Sequence, residues 1–363
     1  MRNLLLLTLD FPPRLGGVAR YLEAGARIFH DRIFVVAPPE PESEAFDKGA
    51  SYPVERVPLF SSRLWPHWLP ILSILWKKRK TYELTLTSHV LPVGTATWML
   101  KPFTHRPYIV CVHGMDLGLV KQHPWKRVLA KRILRGARVV VANSQVLAQE
   151  VYQDFHVSSL VVYPTVHETL LPGVEALSRP QDGTTHFLTV ARLVERKGHL
   201  RVLQALSVLR RSGVSFSYQI IGDGPFEKTI RESILQLGLD SMVTMRTKAS
   251  DADVRDAYAA SNVFVMPTVG GEADREGFGS VYLEAAAWGL PSIASALPGV
   301  NEAVFDGETG LLVPDGNADA LVQALLRMIT DESLCRTLGK AAQQRALAEF
   351  RPEEQWAKLE PYL

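Results

Sequence analysis

The most informative stretch of the chain is Glu276-Gly277-Phe278-Gly279-Ser280-Val281-Tyr282-Leu283-Glu284, in which a glycine-rich turn leads into a helical pattern. The two glycines relax the backbone, so the chain can turn sharply and bring its amides close to a ligand. The residues that follow, 281–288, have the pattern of a helix that stops at Gly289. The stretch therefore predicts a turn followed by a helix, with one glutamate just before the helix and one inside it.

The two glutamates of this stretch, Glu276 and Glu284, flank a predicted helix N-terminus. Free amides and the helix dipole make such an end an anion site. An anion between two carboxylates points to a phosphorylated ligand that also carries hydroxyls. The alternative is an ordinary capped helix whose two glutamates face water.

The same strand–helix alternation runs through the whole chain. The predicted strands are short apolar runs at Leu4–Leu9, Arg32–Ala37, Tyr82–Thr87, Tyr108–His113, Val139–Asn143, Ser159–Tyr163, His186–Ala191, Ser217–Ile221, Met242–Met245, Val263–Pro267, Ser292–Ala294 and Gly310–Val313. Helical patterns separate them, among others at 18–29, 125–135, 198–211 and 226–237. Continuously apolar strands are typical of parallel sheets covered on both faces. Two such series predict an α/β protein with two doubly wound domains.

The predicted boundary between the two domains is a turn-rich segment without periodicity. We place the first domain at residues 1–170, the linker at 171–183 and the second domain at 184–345. The tail, 346–363, is predicted to be a helix that returns toward the first domain.

Composition narrows the class of protein. The chain has 363 residues, two cysteines and a net charge of +2, and it contains no run of eighteen apolar residues. These values fit a two-domain globular protein of the reduced cytoplasm rather than a disulfide-bonded or membrane-spanning one. Residues 1–170 carry +8 and the rest −6, so the first half is expected to face something anionic. Nucleic acid is not the expected partner, because the basic residues are not interleaved with a stacking surface.

Two turns of the second domain carry groups suited to a nucleotide. Arg192 and Lys197 lie in one turn after a predicted strand, where a planar guanidinium and a point charge can converge on a diphosphate. Gly222 and Gly224 lie in the turn after the next strand, where a base or ribose could approach the backbone. Taken singly, such segments are more often a solvated basic loop and a simple turn.

Two turns of the first domain also end predicted strands. Gly16 and Gly17 precede the first helix and would allow a phosphate or sugar to approach. His113 ends a strand and is expected at the cleft between the domains, where it could donate to a hydroxyl or phosphate. A simple turn and a satisfied structural histidine are the alternatives.

In this order, these motifs resemble the retaining glycosyltransferases of family 4, especially bacterial cell-envelope and polysaccharide mannosyl- or glucosyltransferases. The resemblance covers nearly the whole chain and is most specific in its C-terminal part. Its motifs are Gly16-Gly17, His113-Gly114, Arg192 to Lys197-Gly198, Gly222 to Gly224-Pro225, Glu276 to Glu284 with Gly289-Leu290-Pro291, Pro298-Gly299 to Glu302, Gly307 to Val313, Phe350 and Trp356. The resemblance implies the GT-B fold, with two Rossmann-like domains facing a central cleft.

The resemblance also implies roles for the residues singled out above. Arg192 and Lys197 would hold the donor diphosphate and take the place of a metal, so neither a metal nor another cofactor is expected. Amides near Phe278, Gly279 and Ser280 would bind the same phosphates. The remaining side chains would serve the sugars: Glu276 the hydroxyls of the transferred sugar, Glu284 the ribose, and His113 the donor sugar.

The implied activity is transfer of a hexose from GDP- or UDP-sugar to a hydroxyl of a glycan or lipid-linked acceptor. The anomeric configuration would be retained by a front-face route. Two other functions stay open on the same fold. One is a sugar-nucleotide 2-epimerase, which would need further acid and base residues. The other is a non-catalytic nucleotide-sugar-binding subunit, against which Arg192, Lys197 and the two glutamates argue.

One segment of the first domain points to a membrane. Residues 65–80 combine three tryptophans, an apolar run and four consecutive cations, a pattern typical of helices at anionic lipid surfaces. A second basic group lies at Lys121, Lys126, Arg127, Lys131, Arg132, Arg135 and Arg138. We therefore expect a cytoplasmic protein that docks peripherally on the inner face of the membrane. A core helix with a solvated charged end is the alternative.

Overall fold

The computed structural model describes residues 4–14, 16–121, 123–172, 182–271 and 277–363. The chain divides into two compact units, Met1–Thr165 with Pro352–Leu363, and Val166–Arg351. The first unit thus ends five residues before the predicted boundary at 170. Most of the predicted linker, 173–181, lies outside the described residues, as does Glu276.

The first unit is a parallel sheet between helices. In its described part the strands are β1 (Leu4–Leu7), β2 (Ile33–Ala37), β3 (Val54–Arg56), β4 (Leu84–Thr87), β5 (Tyr108–Val112), β6 (Val139–Ala142) and β7 (Ser159–Val161). Their order in the sheet is β3-β2-β1-β4-β5-β6-β7. The helices are α1 (Gly17–Ile28), α2 (Ser43–Gly49), α3 (Leu69–Lys78), α4 (Thr95–Thr104), α5 (Met115–Lys121), α6 (Pro124–Gly136) and α7 (Gln145–Phe155). All four residues of β1 are buried, as expected for a central strand covered on both faces.

The second unit repeats this plan. Its described strands are β8 (Thr185–Val190), β9 (Phe216–Ile221), β10 (Val243–Arg246), β11 (Val263–Met266), β12 (Ser292–Ser295) and β13 (Gly310–Val313). They lie in the order β10-β9-β8-β11-β12-β13. The helices are α8 (His199–Arg211), α9 (Glu227–Gln236), α10 (Asp251–Ala259), α11 (Ser280–Ala287), α12 (Val300–Ala303), α13 (Ala318–Thr330) and α14 (Glu332–Glu349). In both units the strand order reverses beside the first strand, and doubly wound sheets bind ligands at that point.

The last twelve residues belong to the first unit. Their helix, α15 (Pro352–Ala357), places the fully buried Trp356 against Tyr21 of α1, with ring centroids 4.9 Å apart. A Cβ on Gly25 would lie 2.8 Å from the Trp356 ring, so the small residue in α1 makes room for the tryptophan. The Gln355 carboxamide oxygen accepts from the Tyr163 amide at 2.9 Å. The returning segment starts at Pro352 rather than at 346, because α14 continues to Glu349.

The predicted strands are present, each within two residues of the expected ends, and the helices predicted at 18–29, 125–135, 198–211, 226–237 and 281–288 agree within one residue. The single helix predicted at 346–363 is wrong, because that segment contains the end of α14, the short helix Pro352–Ala357 and a 3-10 turn, Glu360–Tyr362. The predicted α/β class and the doubly wound sheets are confirmed. Sequence reasoning missed β3, whose residues are half-buried or exposed and include Glu55 and Arg56. Among the described residues, no helix is both long enough and apolar enough to cross a bilayer.

Candidate nucleotide-sugar site

The turns after β8, β9 and β11 meet at the carboxyl edge of the second sheet. The Leu193 amide donates to the Asp223 carbonyl at 2.9 Å, and the Phe226 amide donates to the Leu193 carbonyl at the same distance. On the other side, the Val269 amide donates to the Arg196 carbonyl at 2.7 Å. The turn that carries Arg192 and Lys197 is therefore held between its two neighbours by backbone hydrogen bonds.

Close backbone packing explains two glycines of these turns. A Cβ on Gly222 would lie 1.9 Å from the Ala191 carbonyl oxygen, and one on Gly224 would lie 2.3 Å from that of Leu193. Neither distance is possible for a real side chain. The glycines thus let the turn after β9 rest directly on the turn after β8. The sequence had suggested that a ligand, rather than a neighbouring turn, makes this close approach.

The two cations of the turn after β8 differ in their surroundings. Arg192 is exposed, whereas Lys197 closes a short 3-10 turn, Glu195–Lys197, and is only 8% exposed. Gly198 follows in the left-handed conformation (φ 76°) and is the N-cap residue of α8. The Lys197 charge is thus largely shielded from water, so its interactions with nearby groups are weakly screened.

His199 was not among the predicted site residues, although it supports this turn. Its Nε2 donates to the Arg192 carbonyl at 3.3 Å. Burial lowers the pKa of His199 to about 4, and the nearby Lys197 charge adds to the effect. At neutral pH the ring is uncharged and holds the backbone of Arg192 in place. A histidine after a glycine carries no sequence signal for such a contact.

The glycine-rich turn leads into α11 as predicted. Gly279 is left-handed (φ 82°) and precedes Ser280, the first residue of the helix. Phe278 is buried and packs against Phe350, with ring centroids 5.7 Å apart. Glu284 lies inside the helix, is 5% exposed, and accepts a hydrogen bond from the Tyr258 hydroxyl at 3.0 Å. The reading in which Glu284 faces water is thus wrong.

The candidate residues of the first unit lie at the ends of its central strands. Gly16 and Gly17 are exposed where β1 passes into α1. His113 follows β5 and lies edge-on to Tyr21, with ring centroids 5.5 Å apart. Burial lowers the pKa of His113 to about 3, with a further contribution from His89. The neutral imidazole can exchange a hydrogen bond with a sugar hydroxyl without bringing a charge.

The buried neutral histidines predict an acid-labile fold. His199 has a folded-state pKa of about 4 and an ordinary pKa of 6.5, so the unfolded chain takes up its proton first. Its contribution to stability is complete above pH 6.5 and is lost as the pH falls toward 4. The loss is at most about 1.4 kcal/mol per pH unit.

We expect His199→Asn to flatten the decline of the unfolding free energy between pH 6.5 and pH 4.5, measured by urea denaturation. His67 is exposed, and His67→Asn is the matched control that should leave the decline unchanged. Equal pH slopes in wild type and His199→Asn would contradict the assignment.

Comparisons with known proteins bear on this geometry. The family model described as Glycosyltransferase Family 4 matches residues 15–169, and the one described as Glycosyl transferases group 1 matches residues 177–345. Together they cover six of the seven described strands of the first sheet, all but β1, and the six described strands of the second. The chain belongs to the family 4 glycosyltransferases. The fold that the resemblance implied, GT-B, and the use of a nucleotide sugar are thereby confirmed.

Three similar proteins show how far the likeness extends. A GDP-mannose-dependent alpha-(1-6)-phosphatidylinositol monomannoside mannosyltransferase of Mycolicibacterium smegmatis is 29% identical, over 98% of this chain and 97% of the relative. The putative colanic acid biosynthesis glycosyltransferase WcaL of Escherichia coli is 36% identical over 40% of this chain and 37% of its own. Anabaena HepE, solved with UDP, superposes with a TM-score of 0.82 at 21% identity, covering 99% of this glycosyltransferase and 100% of HepE.

Proposed function

We propose that this glycosyltransferase moves a hexose from a nucleotide diphosphate sugar to a hydroxyl of a glycan or lipid-linked acceptor, with retention of configuration and without a metal. The observation that carries the proposal is the turn after β8, where exposed Arg192 and buried Lys197 stand on a backbone fixed from both sides. Preorganised cations stabilise the charge that develops on a departing diphosphate. The similar mycobacterial protein is a GDP-mannose-dependent phosphatidylinositol monomannoside mannosyltransferase. GDP-mannose and a phosphatidylinositol mannoside are therefore the first donor and acceptor to test.

Each residue of the site has its own part in this reaction. Arg192, Lys197 and the amides at Gly279 and Ser280 hold the diphosphate, and Glu284 receives the ribose hydroxyls. Glu276 addresses the hydroxyls of the transferred sugar. The bond between the anomeric carbon and the phosphate oxygen breaks, and the acceptor oxygen bonds to the same face of that carbon. The acceptor proton passes to the departing phosphate.

Product analysis tests this proposal. Incubated with GDP-mannose or UDP-glucose, EDTA and phosphatidylinositol mannoside, the enzyme is expected to give an α-linked product by NMR. Denatured enzyme is the control. Release of a free epimerised sugar without an acceptor would instead indicate the epimerase. Failure of every donor to react, even by slow hydrolysis, would indicate a non-catalytic binding subunit.

The proposed acceptor side is a lipid surface around helix α3. This helix buries Ile71 and Leu75, while Trp76 is 44% exposed and Trp65, just before the helix, is 86% exposed. Of the four consecutive cations, Lys78 pairs with Glu55 and Arg79 stacks on Trp76 at 4.2 Å. Lys77 and Lys80 are the exposed ones.

Ion pairs neutralise part of the positive charge of the second basic group. Lys121 contacts Asp154 at 2.6 Å, and Arg127 reaches the same carboxylate at 3.3 Å. Phe103 of α4 and Trp125 of α6 are exposed apolar side chains. Helix α4 packs against both α3 and α6. Apolar groups beside exposed lysines fit a peripheral contact with anionic lipid, and each cation near such a surface contributes on the order of 1 kcal/mol.

Liposome flotation tests the lipid surface. On vesicles containing phosphatidylinositol, Lys77→Gln with Lys80→Gln is expected to lower the bound fraction severalfold at low salt. Lys228→Gln with Lys340→Gln removes the same charge from exposed sites of the second unit and should bind as wild type does. If the two double variants float alike, the surface is not around α3.

A further inference from the structure

A buried tyrosine–glutamate pair joins two helices beside the candidate site. Tyr258 lies near the end of α10 and is 1% exposed, and Glu284 lies in α11 and is 5% exposed. The Tyr258 hydroxyl donates to Oε2 of Glu284 at 3.0 Å. A carboxylate shielded from water needs such donors, because burial without them is costly. The tyrosine therefore belongs to the environment that lets Glu284 stay inside the unit.

The hydrogen bond also fixes the direction of the carboxylate. The last torsion of a glutamate side chain is broad, so a carboxylate held by packing alone can rotate. A donor on one oxygen restricts that rotation and thereby sets where the second oxygen lies. A carboxylate whose plane is already fixed binds a ligand with two neighbouring hydroxyls more tightly, because the glutamate side chain loses no rotational entropy on binding.

The tyrosine itself stands on a rigid base. Helix α10 starts with a capping box between Ser250 and Asp253. The Thr169 hydroxyl donates to the Asp251 carboxylate at 2.6 Å and ties the first turn of the helix to the preceding chain. The Tyr258 ring packs on Phe264 of β11, with centroids 6.4 Å apart. These contacts hold the hydroxyl still, as a positioning group requires.

We propose that Tyr258 is a positioning residue of the donor site, which orients the Glu284 carboxylate toward the two ribose hydroxyls of the nucleotide. The inference rests on the proposed function, because it takes the ribose to be the ligand of Glu284. In this role Tyr258 contacts neither the sugar donor nor the acceptor, and its effect is confined to recognition of the ribose. In sequence, a tyrosine on the buried face of a helix is read as core, and nothing marks it as part of a site.

The test compares two ligands in two proteins. Calorimetry gives the Kd of GDP and of 2′,3′-dideoxy-GDP, or of the uridine pair if UDP binds more tightly. Wild type is expected to prefer the ribonucleotide by roughly 10–100-fold, the effect of losing hydrogen bonds to a charged group. Tyr258→Phe should weaken GDP binding, leave dideoxy-GDP binding as it was, and shrink the preference to about threefold or less. In the same variant, the KM for the sugar donor should rise by about the same factor as the Kd of GDP, whereas kcat should change little.

Two further variants separate the possible failures. Tyr218→Phe removes another buried hydroxyl of the same unit, which bonds Thr189 at 2.8 Å, and should keep the full preference. If Tyr258→Phe lowers the melting temperature but keeps the preference, its hydroxyl is only structural and the inference is overturned. If Glu284→Gln keeps the preference, or wild type shows none, the ribose is not at Glu284, and the fault then lies in the proposed function itself.

Discussion

Replacing Lys197 with alanine is expected to lower kcat/KM for the sugar donor by about 10²–10³-fold, the effect of removing one preorganised group from a developing charge. Lys197 has little contact with water, and the turn that carries it is bonded to both neighbouring turns. Its charge thus acts from a fixed position in surroundings that screen it weakly. Arg192→Ala should have a similar effect, because its guanidinium would share the diphosphate.

Arg196 is the matched control, since it lies in the same turn and carries the same charge as Arg192. Arg196→Ala should change kcat/KM by no more than about threefold, the size of a surface ion-pair effect, because this half-buried side chain is not assigned to the diphosphate. Initial rates over a range of donor concentrations measure all three variants. Equal losses of kcat/KM in the three variants would mean that the turn attracts the donor by its net charge alone. That result would contradict specific roles for Arg192 and Lys197.

Replacing Gly198 with alanine is expected to disrupt the site and the fold of the second unit together. A Cβ there would lie 2.1 Å from the Pro267 carbonyl oxygen and 2.9 Å from its carbon. Both are backbone atoms, so no flexible side chain can swing away. The turn after β8 would have to part from the turn after β11, and Lys197 would move with it. We expect at least a tenfold loss of kcat/KM and a lower urea midpoint.

Gly213 offers the control for this substitution. It has the same left-handed backbone (φ 75°), but a Cβ there meets nothing within 4 Å. Gly213→Ala therefore carries only the conformational cost, about 1–2 kcal/mol, and should keep full activity. The difference between the two alanine variants isolates the contact with Pro267. Similar urea midpoints and rates for both would show that the two turns do not need their close approach.

The sequence predicted the elements of the fold because parallel strands buried on both faces leave continuous apolar runs. It did not reveal β3, an edge strand whose side chains are not fully buried. Gly222 and Gly224 were expected to lie in a turn that a ligand approaches closely. In the structure the turn after β8 makes this close approach. Such contacts join residues far apart in the chain and have no local pattern.

The sequence predicted those site residues whose role follows from their residue type. It did not predict those whose role depends on a contact with a residue elsewhere in the chain. Glu284 was placed inside its helix, yet its partner Tyr258 was invisible, because a buried tyrosine looks the same whether or not its hydroxyl orients a carboxylate. In the same way, the four cations after Trp76 read as one patch. The fold engages Lys78 and Arg79 locally and leaves Lys77 and Lys80 exposed.

Calorimetric titration of the enzyme with GDP and with UDP tests whether the turn that holds Arg192 and Lys197 is a nucleoside-diphosphate site. One of the two nucleotides is expected to bind wild type with a micromolar Kd, and Lys197→Ala to weaken that binding by about tenfold or more, as for a lost charge-assisted contact to phosphate. Absence of binding heat with both nucleotides, or an unchanged Kd in Lys197→Ala, would contradict such a site.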